Sequence, residues 1–95
     1  MPSHARTRQF DRDWKGLSSA DCDRYRVAFR RFDADLGAGR FRPGLRVKGV
    51  QGAPGVFEMT WAPNGRATFE YGVSKGSGAH VIWRRIGTHD ILPMP

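Results

Sequence analysis

Residues 56–92 read VFEMTWAPNGRATFEYGVSKGSGAHVIWRRIGTHDIL, and their alternation decides the fold class. Phe57, Met59 and Trp61 alternate with Val56, Glu58 and Thr60, the period of two that sends neighbouring side chains to opposite faces of a sheet. Ala62-Pro63-Asn64-Gly65 is read as a tight reversal, in which Asn-Gly tolerates the positive φ of short hairpins. The return strand opens at Arg66. It places Ala67, Phe69 and Tyr71 on one face and Arg66, Thr68 and Glu70 on the other. A glycine-rich turn over residues 72–78 leads to a third strand, residues 80–86, with Gly87-Thr88-His89-Asp90 just beyond its end.

Working back toward the N-terminus, residues 1–5 are expected to fray, and residues 6–10 to form a short edge strand. Phe10, Trp14 and Leu17 then recur at i, i+4 and i+7, one stripe of a short helix. Ser18 or Ser19 caps a second, longer helix with Asp21 and Asp23 at its dipole-positive end. Its buried stripe is Cys22, Tyr25, Ala28 or Phe29, Phe32 and Leu36, and Gly37 and Gly39 end it. The apolar face of this hairpin must cover something, and the later strands offer the one apolar face available. The expected class is therefore α+β: a helix hairpin packed on a small, mainly antiparallel twisted sheet, in the order β-α-α-β-β-β. Residues 1–95 form a single domain in this reading.

The chain has 16 basic and 9 acidic residues, a net charge of +7. Residues 1–35 carry +2 of this and residues 36–95 carry +5, and 13 of the 16 basic residues are arginine. Guanidinium matches phosphate bidentately, so the composition points to nucleic acid or an acidic protein. It fits equally a merely soluble arginine-rich domain. A single cysteine excludes an internal disulfide and fits a reducing cytoplasm. Cys22 lies on the apolar stripe and reads as a small core residue. No apolar run approaches a membrane span, and the charged N-terminus is not a signal peptide. His4, His80, His89 and Cys22 lack the paired spacings of metal motifs, and no cofactor is expected. The glycine-rich turn contains Lys75 but is followed by no helix, which argues against a phosphate-binding P-loop.

The connector, residues 37–55, is rich in glycine and holds two prolines, so it forms no regular helix. Arg40, Arg42, Arg46 and Lys48 punctuate it, and no acidic residue occurs from Gly37 to Phe57. It reads as a nucleic-acid-binding loop, against the alternative of a solubilising one. The arginines at 24, 26, 30 and 31, interleaved with aspartates, read as a solvated helix face.

Cleaving RNA through its 2′-hydroxyl requires a base, cations on the phosphate and an acid for the leaving 5′-oxygen. Arg66 and Glu58 share one sheet face. Strand parity sends Arg84 and Arg85 to opposite faces, so at most one joins Arg66, and Arg85 is favoured. His89 is the residue near this cluster whose ordinary pKa suits proton transfer near neutrality.

Pro54-Gly55-Val56-Phe57-Glu58-Met59, Gly65-Arg66-Ala67-Thr68-Phe69 and Val81-Ile82-Trp83-Arg84-Arg85-Ile86-Gly87-Thr88-His89, in this order and spacing, resemble the RelE/ParE toxin superfamily. The Ile86-Gly87-Thr88-His89 ending is most similar to its YafQ and HigB side. The resemblance spans roughly residues 5–92. It implies the toxin of a type II toxin–antitoxin pair, whose nuclease members cleave mRNA in the ribosomal A site without a metal. It assigns Arg66 to the scissile phosphate, His89 to the general acid, and Arg46 and Lys48 to holding RNA. Glu58 becomes a candidate base, Arg85 a further catalytic residue, and Arg40, Arg42 and Arg84 further RNA contacts. The implied partners are an acidic, partly disordered antitoxin, the ribosome and mRNA. Nuclease members carry an aromatic residue shortly after the final histidine, and Asp90-Ile91-Leu92-Pro93 has none. Base stacking would then come from Trp61, Phe57 or Trp83, or the activity is weak or absent. Two other readings stay open: a ParE-like gyrase inhibitor, and a non-catalytic basic nucleic-acid-binding module.

Overall fold

The computed structural model describes residues 1–74, 76 and 78–95. Lys75, in the glycine-rich turn, lies outside the described residues. Strand β1 (Ser3–Arg6) is followed by helices α1 (Arg8–Lys15) and α2 (Ser19–Ala38), a 3-10 turn (Pro43–Leu45), strands β2 (Lys48–Gly49), β3 (Val56–Thr60), β4 (Gly65–Tyr71) and β5 (His80–Thr88), and a second 3-10 turn (His89–Ile91). The five strands form one sheet in the order β1-β5-β4-β3-β2, with β1 parallel to β5 and the other pairings antiparallel. The expected α+β class, a helix pair on a mainly antiparallel sheet, is what the chain adopts.

The helices begin where local chemistry supplies acceptors for free N–H groups. Thr7 accepts from the Phe10 amide and Ser18 from the Asp21 amide, the N-cap arrangement typically worth about 1 kcal/mol. Helix α2 runs through Gly37 and stops at Gly39, which takes the left-handed conformation (φ 82°). Phe10, Tyr25, Ala28 and Phe32 from the helices meet Met59, Trp61, Ala67, Phe69, Val81, Trp83 and Ile86 from the sheet in one core. Trp83 sits at its centre, with the rings of Phe10, Tyr25, Phe29, Phe32 and Phe69 at 4.9–6.5 Å.

Three local expectations are corrected. First, the N-terminal residues do not fray, and the edge strand is not residues 6–10. Ser3–Arg6 pair with His80–Trp83, and Thr7 already caps α1. His4 explains the anchorage: its Nδ1 accepts from the Trp83 indole N–H (3.1 Å), so Nε2 carries the proton and donates to Asp33 (2.8 Å) on α2. Second, the β3–β4 turn closes with the Gly65 amide on the Ala62 carbonyl (3.0 Å), and neither Asn64 nor Gly65 has positive φ. Gly65 is needed for space instead. A Cβ there would lie 2.6 Å from the Trp61 ring, which rests on it. Third, β5 carries a bulge. Thr68 pairs with Arg85 and Phe69 with Trp83, leaving Arg84 as the extra residue. Arg84 and Arg85 therefore both leave the core face, not opposite faces.

Candidate active site

The sheet face away from the helices, here the outer face, gathers several of the singled-out residues. Glu58 on β3 is buried, directly opposite Lys48 on β2 and Thr68 on β4. Arg66, one pair further along β4, brings its Nε to 3.7 Å from the Glu58 carboxylate. Its Nη1 faces the carbonyls of Gly65, Pro63 and Ala62 at 3.0, 3.3 and 3.4 Å. Arg66 thus clamps the hairpin tip while countering the charge of a buried carboxylate. His89 opens the turn after β5, and its amide donates to the Asn64 carbonyl (2.9 Å), tying the chain end to the same hairpin. Its exposed side chain, with Lys48 and Glu58, lines an open groove of about 660 Å³ that Gly49, Val50, Gln51, Asp90, Leu92 and Pro93 complete. That volume lies in the range of small-molecule sites, roughly 300–1,000 Å³.

The structure thus brings Lys48, Glu58 and His89 around one groove, with Arg66 behind Glu58. A cation, a buried carboxylate and an imidazole lining one groove are a set that can bind an anion and pass protons.

Other named residues are otherwise engaged. Arg85 donates from Nε and Nη2 to both oxygens of Asp13 on α1 (3.0 Å each). The Ile86 amide and Gln9 donate to the same carboxylate. Burial pushes the Asp13 carboxyl up, yet the hydrogen bonds from Arg85, Gln9 and Ile86 outweigh it and hold the group below its ordinary value. Arg85 is a strut between α1 and β5, a correction to its reading as a free catalytic cation. Arg84 reaches Glu70 (3.2 Å) and the Pro95 main-chain oxygen (3.2 Å). Arg42 is a second strut: its guanidinium binds Asp35 at 2.8 and 2.9 Å, and its amide adds a third bond at 2.8 Å. These bonds hold the Asp35 carboxyl down to about 2, so Arg42 is not a free member of the basic loop. Arg40, Arg46 and Lys48 are exposed and have no ion-pair partner among the described residues. Arg46 holds φ 50°, an uncommon conformation for a side-chain-bearing residue.

The aromatic residues expected to stack on bases are not available for it. Trp83 and Trp61 are buried in the core, and Phe57 packs against it from the same side. His80 is also structural, its Nδ1 2.7 Å from the Ser3 hydroxyl. Sequence reasoning gave Thr68 no role, yet it is fully buried beside Glu58 and donates to the Pro95 main-chain oxygen. A hydroxyl in an otherwise apolar-flanked strand position was the one signal for it.

No family model matches the chain, and no curated protein matches it in sequence. Solved structures do match in shape. The toxin–antitoxin complex DinJ–YafQ from E. coli aligns with a TM-score of 0.74 at 14% identity, over 97% of this chain and 98% of the matched one. The RelB–RelE antitoxin–toxin complex from Methanococcus jannaschii aligns with a TM-score of 0.62 at 15% identity, over 96% and 99%. The solution structure of HP0894 from Helicobacter pylori gives 0.63 at 14% identity, over 95% and 97%. At such identities the likeness is one of architecture: the chain has the fold of the RelE/YafQ-type toxins.

Proposed function

We propose that this chain is the toxin of a type II toxin–antitoxin pair and inhibits translation in the cytoplasm by cleaving mRNA on the ribosome. The observation that carries the reading is the groove shared by Lys48, Glu58 and His89, with Arg66 against Glu58. Glu58 takes the proton of a ribose 2′-hydroxyl. The 2′-oxygen attacks phosphorus, and the bond to the 5′-oxygen breaks. His89, protonated, delivers its proton to that oxygen, leaving a 2′,3′-cyclic phosphate and a 5′-hydroxyl. Lys48 binds the phosphate oxygens as charge builds on them, and Arg40 and Arg46 hold the flanking backbone. Arg66 limits the repulsion between Glu58 and the incoming phosphate.

The partner side of the reading rests on a second groove of about 930 Å³ between the helices and β1. Its floor is aromatic, from Phe10, Tyr25 and Trp83 among others, and its rim holds Arg6, Lys15, Arg26 and Arg30 against Asp11 alone. An acidic antitoxin segment with an apolar anchor complements it. The solved RelB–RelE and DinJ–YafQ structures are toxin–antitoxin complexes.

The test is cleavage of a defined mRNA on programmed ribosomes. His89→Gln is expected to lower the single-turnover rate by about 10² to 10⁴, the usual contribution of a positioned acid. Because His89 is exposed, the melting temperature should not move. Cleavage by the variant at the parental rate sinks the assignment. An intact mRNA with a DNA-damage response on induction points to gyrase instead.

A further inference from the structure

The outer face holds a group of donors that the reading above leaves unused, and the chain's own C-terminal segment occupies them. The Thr68 hydroxyl donates to the Pro95 main-chain oxygen at 2.9 Å, and Arg84 Nε donates to the same oxygen at 3.2 Å. Arg85 Nη1 donates to the Met94 carbonyl at 3.3 Å. The main-chain oxygens of two consecutive residues thus sit on one hydroxyl and two guanidinium groups.

The path of the segment is built into the fold. Gly87 faces outward opposite Arg66, and Ile91 packs on it so closely that a Cβ at 87 would lie 2.9 Å from Ile91 Cγ2. Ile91 is buried. Two turns follow, Leu92 amide to His89 carbonyl and Met94 amide to Ile91 carbonyl, each 3.1 Å. The chain is folded back over β5 and β4 as a strap. Pro93 and Pro95 fix their own φ, which lowers the entropy lost on ordering it.

An oxygen held by a hydroxyl and a guanidinium N–H stands where a non-bridging phosphate oxygen would stand, since phosphate takes the same donors. The location suits a strand already in the groove: Leu92 and Pro93 form the groove wall beside His89, and Thr68 is the cross-strand neighbour of Glu58. Resting on the RNA reading above, we propose that Thr68 and Arg84, with Arg85 beside them, form a second backbone-phosphate subsite for that RNA. Residues 93–95 fill the subsite in the free protein, and the RNA displaces them.

The test is affinity for a 2′-O-methyl RNA oligonucleotide, which binds without being cleaved, measured by fluorescence anisotropy at one salt concentration. Three proteins are compared: the parent, a variant lacking residues 93–95, and the full-length Pro93→Gly/Pro95→Gly variant. A strap closed nine-tenths of the time raises the apparent Kd about tenfold, so truncation should tighten binding by about that factor. The glycine variant should bind with intermediate affinity. Adding Thr68→Val to the truncated protein should cancel the gain. Equal or weaker binding by the truncated protein, or a gain that Thr68→Val leaves intact, overturns the proposal while leaving the RNA reading in place. If no variant binds, the RNA reading itself has failed and the subsite with it. In the intact parent, the Met94 amide should lose its hydrogen-exchange protection when the oligonucleotide binds. Retained protection overturns displacement even if the truncated protein fails to fold.

Discussion

Asp13→Asn separates a structural from a catalytic role for Arg85. Asp13 sits near the C-terminal end of α1, where the helix dipole disfavours a negative charge, so its presence there needs compensation. Compensation comes from four hydrogen bonds: two from Arg85, one from the Ile86 amide and one from Gln9. Asparagine keeps a single acceptor oxygen and turns an amide N–H toward a guanidinium. Hydrogen bonds to charged groups contribute about 1.5–3 kcal/mol each, and partial exposure of both side chains argues for the low end of that range. The expected loss is about 2–3 kcal/mol, counting two such bonds that are not additive. For a domain of this size that lowers the melting temperature by roughly 10–20 °C.

The pH dependence gives an independent check. The folded carboxyl is held below its ordinary value, so its stabilising contribution is complete above the unfolded pKa, about 3.9. It fades as pH falls through the lower folded pKa. Urea denaturation of parent and variant should therefore differ by the full amount at pH 7, and the curves should converge as pH falls through the lowered pKa of the folded carboxyl. Arg85→Gln should lose a similar amount, and the double variant little more than either single one. A loss under about 0.5 kcal/mol at pH 7, the size typical of surface substitutions, would refute the strut.

Three further substitutions test particular contacts. Gly65→Ala puts a methyl 2.6 Å from the Trp61 ring and should cost about 1–3 kcal/mol through overpacking; an unchanged thermal melt would mean that the ring has room to move. Arg46→Ala should lower the slope of log affinity against log salt for single-stranded RNA by about 0.7, one phosphate contact, whereas Arg42→Ala should leave that slope unchanged because Asp35 already neutralises it. In the Arg42 variant the Asp35 carboxyl should titrate upward from about 2 toward the ordinary aspartate value, as an NMR titration of its carboxyl carbon would record.

The parts of the fold visible in the sequence are those written at short range. The stripe through Tyr25, Ala28 and Phe32 and the alternation through Met59, Ala67 and Phe69 each repeat within a few residues, and each faces the core. The bounds of strand β1 were hidden because Ser3–Arg6 has no apolar alternation. Its order comes from β5 and from the bonds of His4 to Asp33 and Trp83, 29 and 79 residues away. The bulge was hidden for a related reason: parity counting assumes an unbroken ladder, and nothing local to Arg84 marks the extra residue.

The same distinction governs the charges, where it bears most on function. A net charge of +7 suggests a uniformly cationic surface, but a guanidinium that spends its donors on a carboxylate has little left for phosphate. Arg85 and Arg42 find their partners 72 and 7 residues away, and Arg66 and Arg84 face Glu58 and Glu70 across neighbouring strands. On the outer face, cation count is therefore a poor guide to anion affinity. The cations without carboxylate partners there, Lys48 with Arg40 and Arg46 at the connector, would carry the approach of a phosphate backbone. The paired arginines would instead set its register, each offering only those N–H groups that its carboxylate does not take. Arg84 Nε and Arg85 Nη1 are among these groups, and the main-chain oxygens of Pro95 and Met94 now occupy them. A strand that takes its register from these two donors would compete for them with residues 94 and 95, so its binding should respond to displacement of that segment as well as to the protein's total charge.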